Sequence, residues 1–158
     1  PAIAVGTYLP KARAFATATL DTLPKEALIE FTNGSYIAAS LAREGVGIAI
    51  YGFADSAVLP KMTSPVLVAA SDLKLGATVL ALGTDGSAST GIVARVSDKG
   101  VHTTLPDIGV GSAAVDLAGN LIGISAGVTP GLLISADAIT ALLMATSTTA
   151  ATTSTAPK

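Results

Sequence analysis

The chain has 158 residues, 50 % of them hydrophobic and 13 % charged, with a net charge of −2 and no Cys. A chain of this length buries roughly 70 % of its unfolded surface and needs neither metal nor disulfide to fold. Lacking Cys, it has no disulfide framework, Cys-based zinc site or thiol nucleophile. Nine Lys and Arg form no basic stripe, which argues against binding a nucleic-acid backbone or attaching to a membrane through a polybasic segment. Gly, Pro, Asp or Lys breaks every apolar run before the ~18 residues that a membrane span needs. The chain starts at Pro1 with no signal-peptide pattern, so it reads as a processed form or a cut piece whose address signals are not visible.

In chain order, most of the sequence reads as short strands. Leu28 to Thr32, Tyr36 to Leu41 and Val46 to Phe53 are rich in Ile, Val and aromatics. Asn33-Gly34 between the first two is a hairpin signal whose turn positions both favour φ > 0. Glu44-Gly45 separates the second from the third, completing a three-strand meander. Pro60 to Pro65 is the crossing between two halves, residues 1–60 and 66–145. Beyond it, Ala77 to Leu82, Ala88 to Ser97, Val101 to Thr104, Asn120 to Ser125 and Leu132 to Ser135 repeat the strand pattern. Turns at Asp85-Gly86, Asp98-Lys99-Gly100 and Ala118-Gly119 punctuate them. So many short strands predict an antiparallel sandwich or barrel, an all-β fold class.

One helix is predicted, from Ala136 to Ala145. Ser135 is its N-cap, Asp137 sets negative charge at the positive end of the dipole, and Ile139, Leu142 and Leu143 share a face. From Thr146 to Lys158 the chain is Thr, Ser and Ala with a late Pro, which reads as a disordered linker, stalk or frayed end. No repeat of fixed period is visible in the sequence.

Five segments of the second half, in order, resemble the trypsin-like serine proteases of the HtrA/Deg type. Ser71 to Gly83 is similar to the "sDxlkvGxxVxAiG" stretch that opens the second barrel, and Ser89 to Val96 to the strand "vtxGiVSxv". Val101 to Thr104 is similar to "iqTD", Val115 to Ile124 to "lvdlxGxviGi", and Gly131 to Ile139 to "GigfAIPadxi". The first half carries less: Ile29 to Gly34 resembles the "vxlxdG" hairpin, and Leu41 to Ile50 the strand pair after it. The resemblance implies two six-stranded antiparallel β-barrels with a cleft between them and a short C-terminal helix. For a chain this short, the first barrel would be incomplete, trimmed at its N-terminal edge. It also implies an extracytoplasmic setting, in the periplasm, cell envelope or cell surface. The family has a PDZ domain where this chain has its Thr/Ser/Ala tail.

Acyl transfer in that family needs a Ser hydroxyl, an imidazole to take its proton, a carboxylate to orient the imidazole, and backbone N–H groups for the oxyanion. The His position falls within Thr17 to Thr19, where there is no His. The sole His is His102, in the strand before the nucleophile loop, read as a half-exposed strand residue rather than a displaced base. Gly47 takes the place of the Asp; Asp55, eight residues on, reads as solvated loop. The nucleophile motif reads Gly109-Val110-Gly111-Ser112-Ala113-Ala114. Gly111 takes the Ser position, or Val110 if the motif is aligned from its other end, and only a slipped alignment makes Ser112 a fallback nucleophile. Ala113 and Ala114 replace the family's Gly and Pro beside the oxyanion hole. A Ser without a base is a poor nucleophile at neutral pH, and losing one triad member already costs several orders of magnitude in rate.

No cofactor or metal is expected. Gly83 to Ser87 and Gly119-Asn120 lack the lysine spacing of a phosphate loop and the alternating carboxylates of a calcium loop, so they read as turns. Asp107, Asp116 and Asp137 show no spacing that pairs them. Tyr8, Tyr36, Tyr51, Phe15, Phe31 and Phe53 read as strand core or edge residues, with no Lys or Arg interleaved to make a base-stacking platform. The expected function is a non-catalytic, protease-like domain that binds a protein or peptide partner or serves a structural role. One alternative is a serine endopeptidase using Ser112. Another is an unrelated β-rich surface or appendage subunit, which would form one sandwich and hold Thr17, Gly47 and Gly111 far apart.

Overall fold

The computed structural model describes residues 4–83 and 85–145, and the expected Thr/Ser/Ala tail lies outside them. The first half contains β1 (Gly6–Leu9), β2 (Ala14–Ala18), β3 (Glu26–Glu30), β4 (Tyr36–Gly45) and β5 (Ile48–Phe53). The second contains β6 (Thr78–Leu82), β7 (Ala88–Ser97), β8 (Gly100–Thr103), β9 (Ala113–Val115), β10 (Leu121–Ser125) and β11 (Leu132–Ser135), followed by α1 (Ala136–Met144). All ladders between these strands are antiparallel. The fold is thus all-β with one C-terminal helix. Its second half is a closed barrel in the order β10-β11-β8-β7-β6-β9, and its first half a curled sheet in the order β1-β2-β5-β4-β3.

The two halves share a wiring diagram that no sequence period shows. Matching β1 to β7, β2 to β8, β3 to β9, β4 to β10 and β5 to β11 reproduces every neighbour pair of the first sheet in the second barrel. Only β6, the strand that joins β7 to β9, has no counterpart among the described residues. The first barrel is therefore open between β1 and β3, at its N-terminal edge.

Burial follows directly from this arrangement. A strand with one wet face alternates, as β4 does from Tyr36 to Gly45, whereas β5 and β10 are buried almost throughout. Each of those two strands faces a core on both sides. Ile48 and Ile50 of β5 meet Leu121 and Ile124 of β10 in a cluster shared by the halves, joined by Ala16 and Ala18 of β2 and Ile139 of α1. The opposite face of β5 puts Ala49, Tyr51 and Phe53 into the first-half core, with Ile29 and Phe31. Ile122 of β10 joins Val79, Val93 and Val101 inside the closed barrel. Burying each Leu or Ile contributes about 1.5–3 kcal/mol, so the shared cluster outweighs any single hydrogen bond between the halves.

Helix α1 is held by two polar contacts. At its C-terminal end the Arg43 guanidinium donates to Leu142 O and, at 2.7 Å, to Leu143 O, placing a cation on the negative end of the helix dipole. At its N-terminal end the expected Ser135 cap does not form. Ser135 is still paired in β11 opposite Gly123, and its hydroxyl makes no bond to the first turn. The Asp137 carboxylate instead accepts from Ala70 N at 2.9 Å, tying the helix to the segment that leads into β6.

Two turns also differ from expectation. Asn33 is not in a positive-φ conformation; only Gly34 is, with φ 81°. Gly34 N donates to Phe31 O at 2.8 Å, and Asn33 Oδ1 accepts from Ser35 N at 3.0 Å and from the Ser35 hydroxyl at 2.7 Å. The Asn side chain thus stabilises a longer loop in place of a two-residue one. The two-residue turn lies instead at Val46-Gly47, with φ 52° and 80°, closing the Gly45–Ile48 pair of β4 and β5. Val46 is β-branched and 78 % exposed, so this conformation is strained with no buried contact in return. Val46→Asn should raise stability by about 1 kcal/mol in denaturant unfolding; an unchanged or lowered midpoint would refute the strain.

Candidate functional site

The residues matched to the three catalytic positions lie on the ends of elements that meet at the seam between the halves. Thr17 and Ala18 end β2, Thr19 follows, Gly47 sits in the β4–β5 turn, and Gly111 and Ser112 precede β9. Thr19 N donates to Gly47 O at 2.7 Å, which joins the first position to the second. A Cβ built on Gly111 would lie 2.9 Å from Thr17 Oγ1, which joins the first to the third. The three backbones converge, and the halves do not form one sandwich.

The chain's own backbone fills the space at that convergence. Val5, just before β1, turns its carbonyl oxygen to Thr17, whose hydroxyl donates to it at 2.5 Å. A Cβ on Gly111 would fall 1.9 Å from the same oxygen, well inside any tolerated contact. Gly111 has φ 82° and Gly47 φ 80°, conformations that disfavour a side chain at either place. A Cβ on Gly47 would also press on Ile134 Cδ1 at 3.0 Å. Gly111 N donates to Ser125 O at 2.8 Å, and Ser125 N donates to Ser112 O at 2.9 Å, lacing the loop onto β10. Gly111 N–H is therefore committed to Ser125.

Ser112 is 2 % exposed, and its hydroxyl donates to Ile108 O at 2.5 Å. That bond turns the proton toward a carbonyl of its own loop, so the hydroxyl serves the turn. His102 lies on β8, partly buried, with Nε2 3.0 Å from the Ser97 hydroxyl and 3.2 Å from the Arg95 guanidinium. Asp55 is exposed in the loop after β5, where Arg13 donates to the carbonyls of Ala54, Asp55 and Ala57. Ala113 and Ala114 form the start of β9 and pair with Ile124 and Gly123. Val5 and Ser125 complete the seam, and nothing in their sequence context marks them. Among the described residues no group of His, Asp and Glu could hold a metal ion.

The carboxylate in the loop after β9 serves local structure. Asp116 Oδ1 accepts from Ala118 N and Asn120 N, and Oδ2 from Asn120 Nδ2, each at 2.9 Å. Desolvation pushes the Asp116 carboxyl upward, but these donors together outweigh it and hold the group below its ordinary value of 3.8. Comparison with protein-family models and with curated proteins gives no match to this chain.

Two outcomes follow. Gly111→Ala should destabilise the chain by about 2–4 kcal/mol, through φ strain and collision with Val5 O; removing residues 1–5 from that variant should recover part of the loss. Equal stability of Gly111→Ala and the parent would contradict the seam. For Asp116, the folded chain binds the proton less readily than the unfolded one. Its stabilising contribution is therefore complete above the unfolded value and disappears as pH falls through the folded one. Asp116→Asn should flatten the acid limb of unfolding midpoint against pH below about pH 4; an unaltered limb would remove the carboxylate from that role.

Proposed function

We propose that this chain is a non-catalytic domain of the trypsin/HtrA-like kind, acting as a protein-binding or structural module in an extracytoplasmic setting. The observation that carries the reading is the Val5 carbonyl seated where a side chain on Gly111 would stand. Nucleophilic attack needs an exposed oxygen with a base in hydrogen-bond reach and free donors facing the developing oxyanion. At this seam there are two threonine hydroxyls, two glycines and a backbone oxygen, and the neighbouring Ser112 hydroxyl is held by Ile108 O. The wiring shared by the two halves supports the resemblance, because a duplicated barrel with its cleft at the seam is what that family would provide. The extracytoplasmic setting rests on the resemblance alone. No helix among the described residues is long and apolar enough to cross a membrane.

A fluorophosphonate probe tests this reading directly. The parent chain and Ser112→Ala should both remain unlabelled, and both should leave a casein substrate intact. Labelling that depends on Ser112 would overturn the non-catalytic reading and restore the endopeptidase.

A further inference from the structure

The closed barrel shows what the open one lacks. In the second half, β6 lies between β7 and β9 and pairs antiparallel with both. The equivalent place in the first half lies between β1 and β3, the two edges of its sheet. A groove of about 320 Å³ runs there, lined by Tyr8, Phe15, Ile29, Phe31, Met62 and Pro65. Its floor is aromatic: the Tyr8 and Phe31 rings meet edge to face with centroids 5.1 Å apart, and Phe53 packs behind them. Met62 stands exposed at its rim, at 55 %. Thr7 Oγ1 on β1 is shut off from solvent with no hydrogen-bond partner among the described residues.

Sheet edges of this kind present rows of unpaired N–H and C=O groups that template another strand. Charge adds a second selection. On β3, Glu26 and Glu30 are exposed and alternate with Ile29 and Ala27 on the inner face. Both carboxylates meet neutral hydroxyls of β4: Ser40 at 2.9 Å from Glu26, and Tyr36, whose pKa the Glu30 hydrogen bond raises. A strand laid antiparallel beside β3 would set its outward side chains next to these two carboxylates and its inward ones over the aromatic floor.

We propose that the gap between β1 and β3 is a docking slot for an extended segment of a partner protein, apolar at alternate positions and cationic between them. The segment adds the sixth strand of the first barrel. This rests on the reading of the chain as a protein-binding module and assigns that binding to the sheet edge, away from the seam at Gly111.

The test uses the whole 158-residue chain, isotope-labelled, and three peptides: Lys-Val-Lys-Val-Lys-Val-Lys, the same peptide with Glu for Lys, and the Lys peptide with its central Val replaced by Pro. The Lys peptide should slow amide exchange along Gly6–Leu9 and Glu26–Glu30 and give cross-strand contacts to both. The Glu peptide should bind at least about threefold more weakly, and the Pro peptide should protect neither edge. In Glu26→Lys/Glu30→Lys, two exposed changes that leave the core untouched, the preference between the Lys and Glu peptides should reverse. The proposal is overturned if no peptide protects the two edges or if the preference survives the charge reversal. Protection of both edges in the free chain would also overturn it, since a second copy or the chain's own terminus would then hold the slot. Each of these failures leaves the fluorophosphonate result unchanged, so the slot and the non-catalytic reading fail separately.

Discussion

Gly111 can lie against the Val5 carbonyl only because it carries no side chain, and the packing of the two halves depends on that approach. A Cβ there would displace the segment leading into β1, which in turn holds Thr17 at the end of β2. Thr19 then reaches the Gly47 carbonyl across the β4–β5 turn, and Gly111 and Ser112 are stitched to Ser125 on β10. These backbone bonds sit at the rim of the apolar cluster formed by Ile48, Ile50, Leu121, Ile124 and Ile139. The hydrophobic contact supplies the energy of association, while the glycine sets how closely the halves approach.

The same constraint bears on chemistry. Catalysis by a hydroxyl requires spare hydrogen-bonding capacity aimed at a substrate, whereas a stable seam requires that capacity to be consumed within the chain. At Gly111 the amide is consumed by Ser125, and at Ser112 the hydroxyl is consumed by Ile108. Glycine in positive-φ conformations at positions 47 and 111 leaves no side chain at either place to project into the seam. The docking slot we propose lies away from this seam, at the sheet edge that the first half leaves open.

Much of this architecture is legible in the sequence wherever one physical signal dominates. Strands β4, β5 and β7 and helix α1 can be read because their apolar spacing is long and regular, and β10 and β11 because Leu and Ile crowd them. Strands β1 and β9 are too short for a pattern, and Ala113-Ala114 carries little hydrophobic signal at all. The Val46-Gly47 turn is hidden because a β-branched residue occupies a place that ordinarily takes Asn, Asp or Gly. Ser135 has the chemistry of a cap, but strand pairing keeps it in β11. At the seam, the sequence shows the glycines at 47 and 111 and the threonines at 17 and 19. The plug itself, Val5 O, is a backbone atom of an ordinary residue and leaves no trace in composition or spacing.

Native-state amide exchange of Thr19, Gly111 and Ser125 is the most direct measure of the seam. If the seam is closed as described, with Thr19 bonded to Gly47 inside the first half and Gly111 and Ser125 bonded inside the second where Gly111 meets Val5 O, their amides exchange only through global unfolding, with the same free energy as the most protected amides of β5 and β10. Exchange of Gly111 or Thr19 at the rate of an exposed loop, while β5 and β10 stay protected, would mean that the seam opens freely. The convergence of Thr17, Gly47 and Gly111 would then not be sealed by the chain's own backbone.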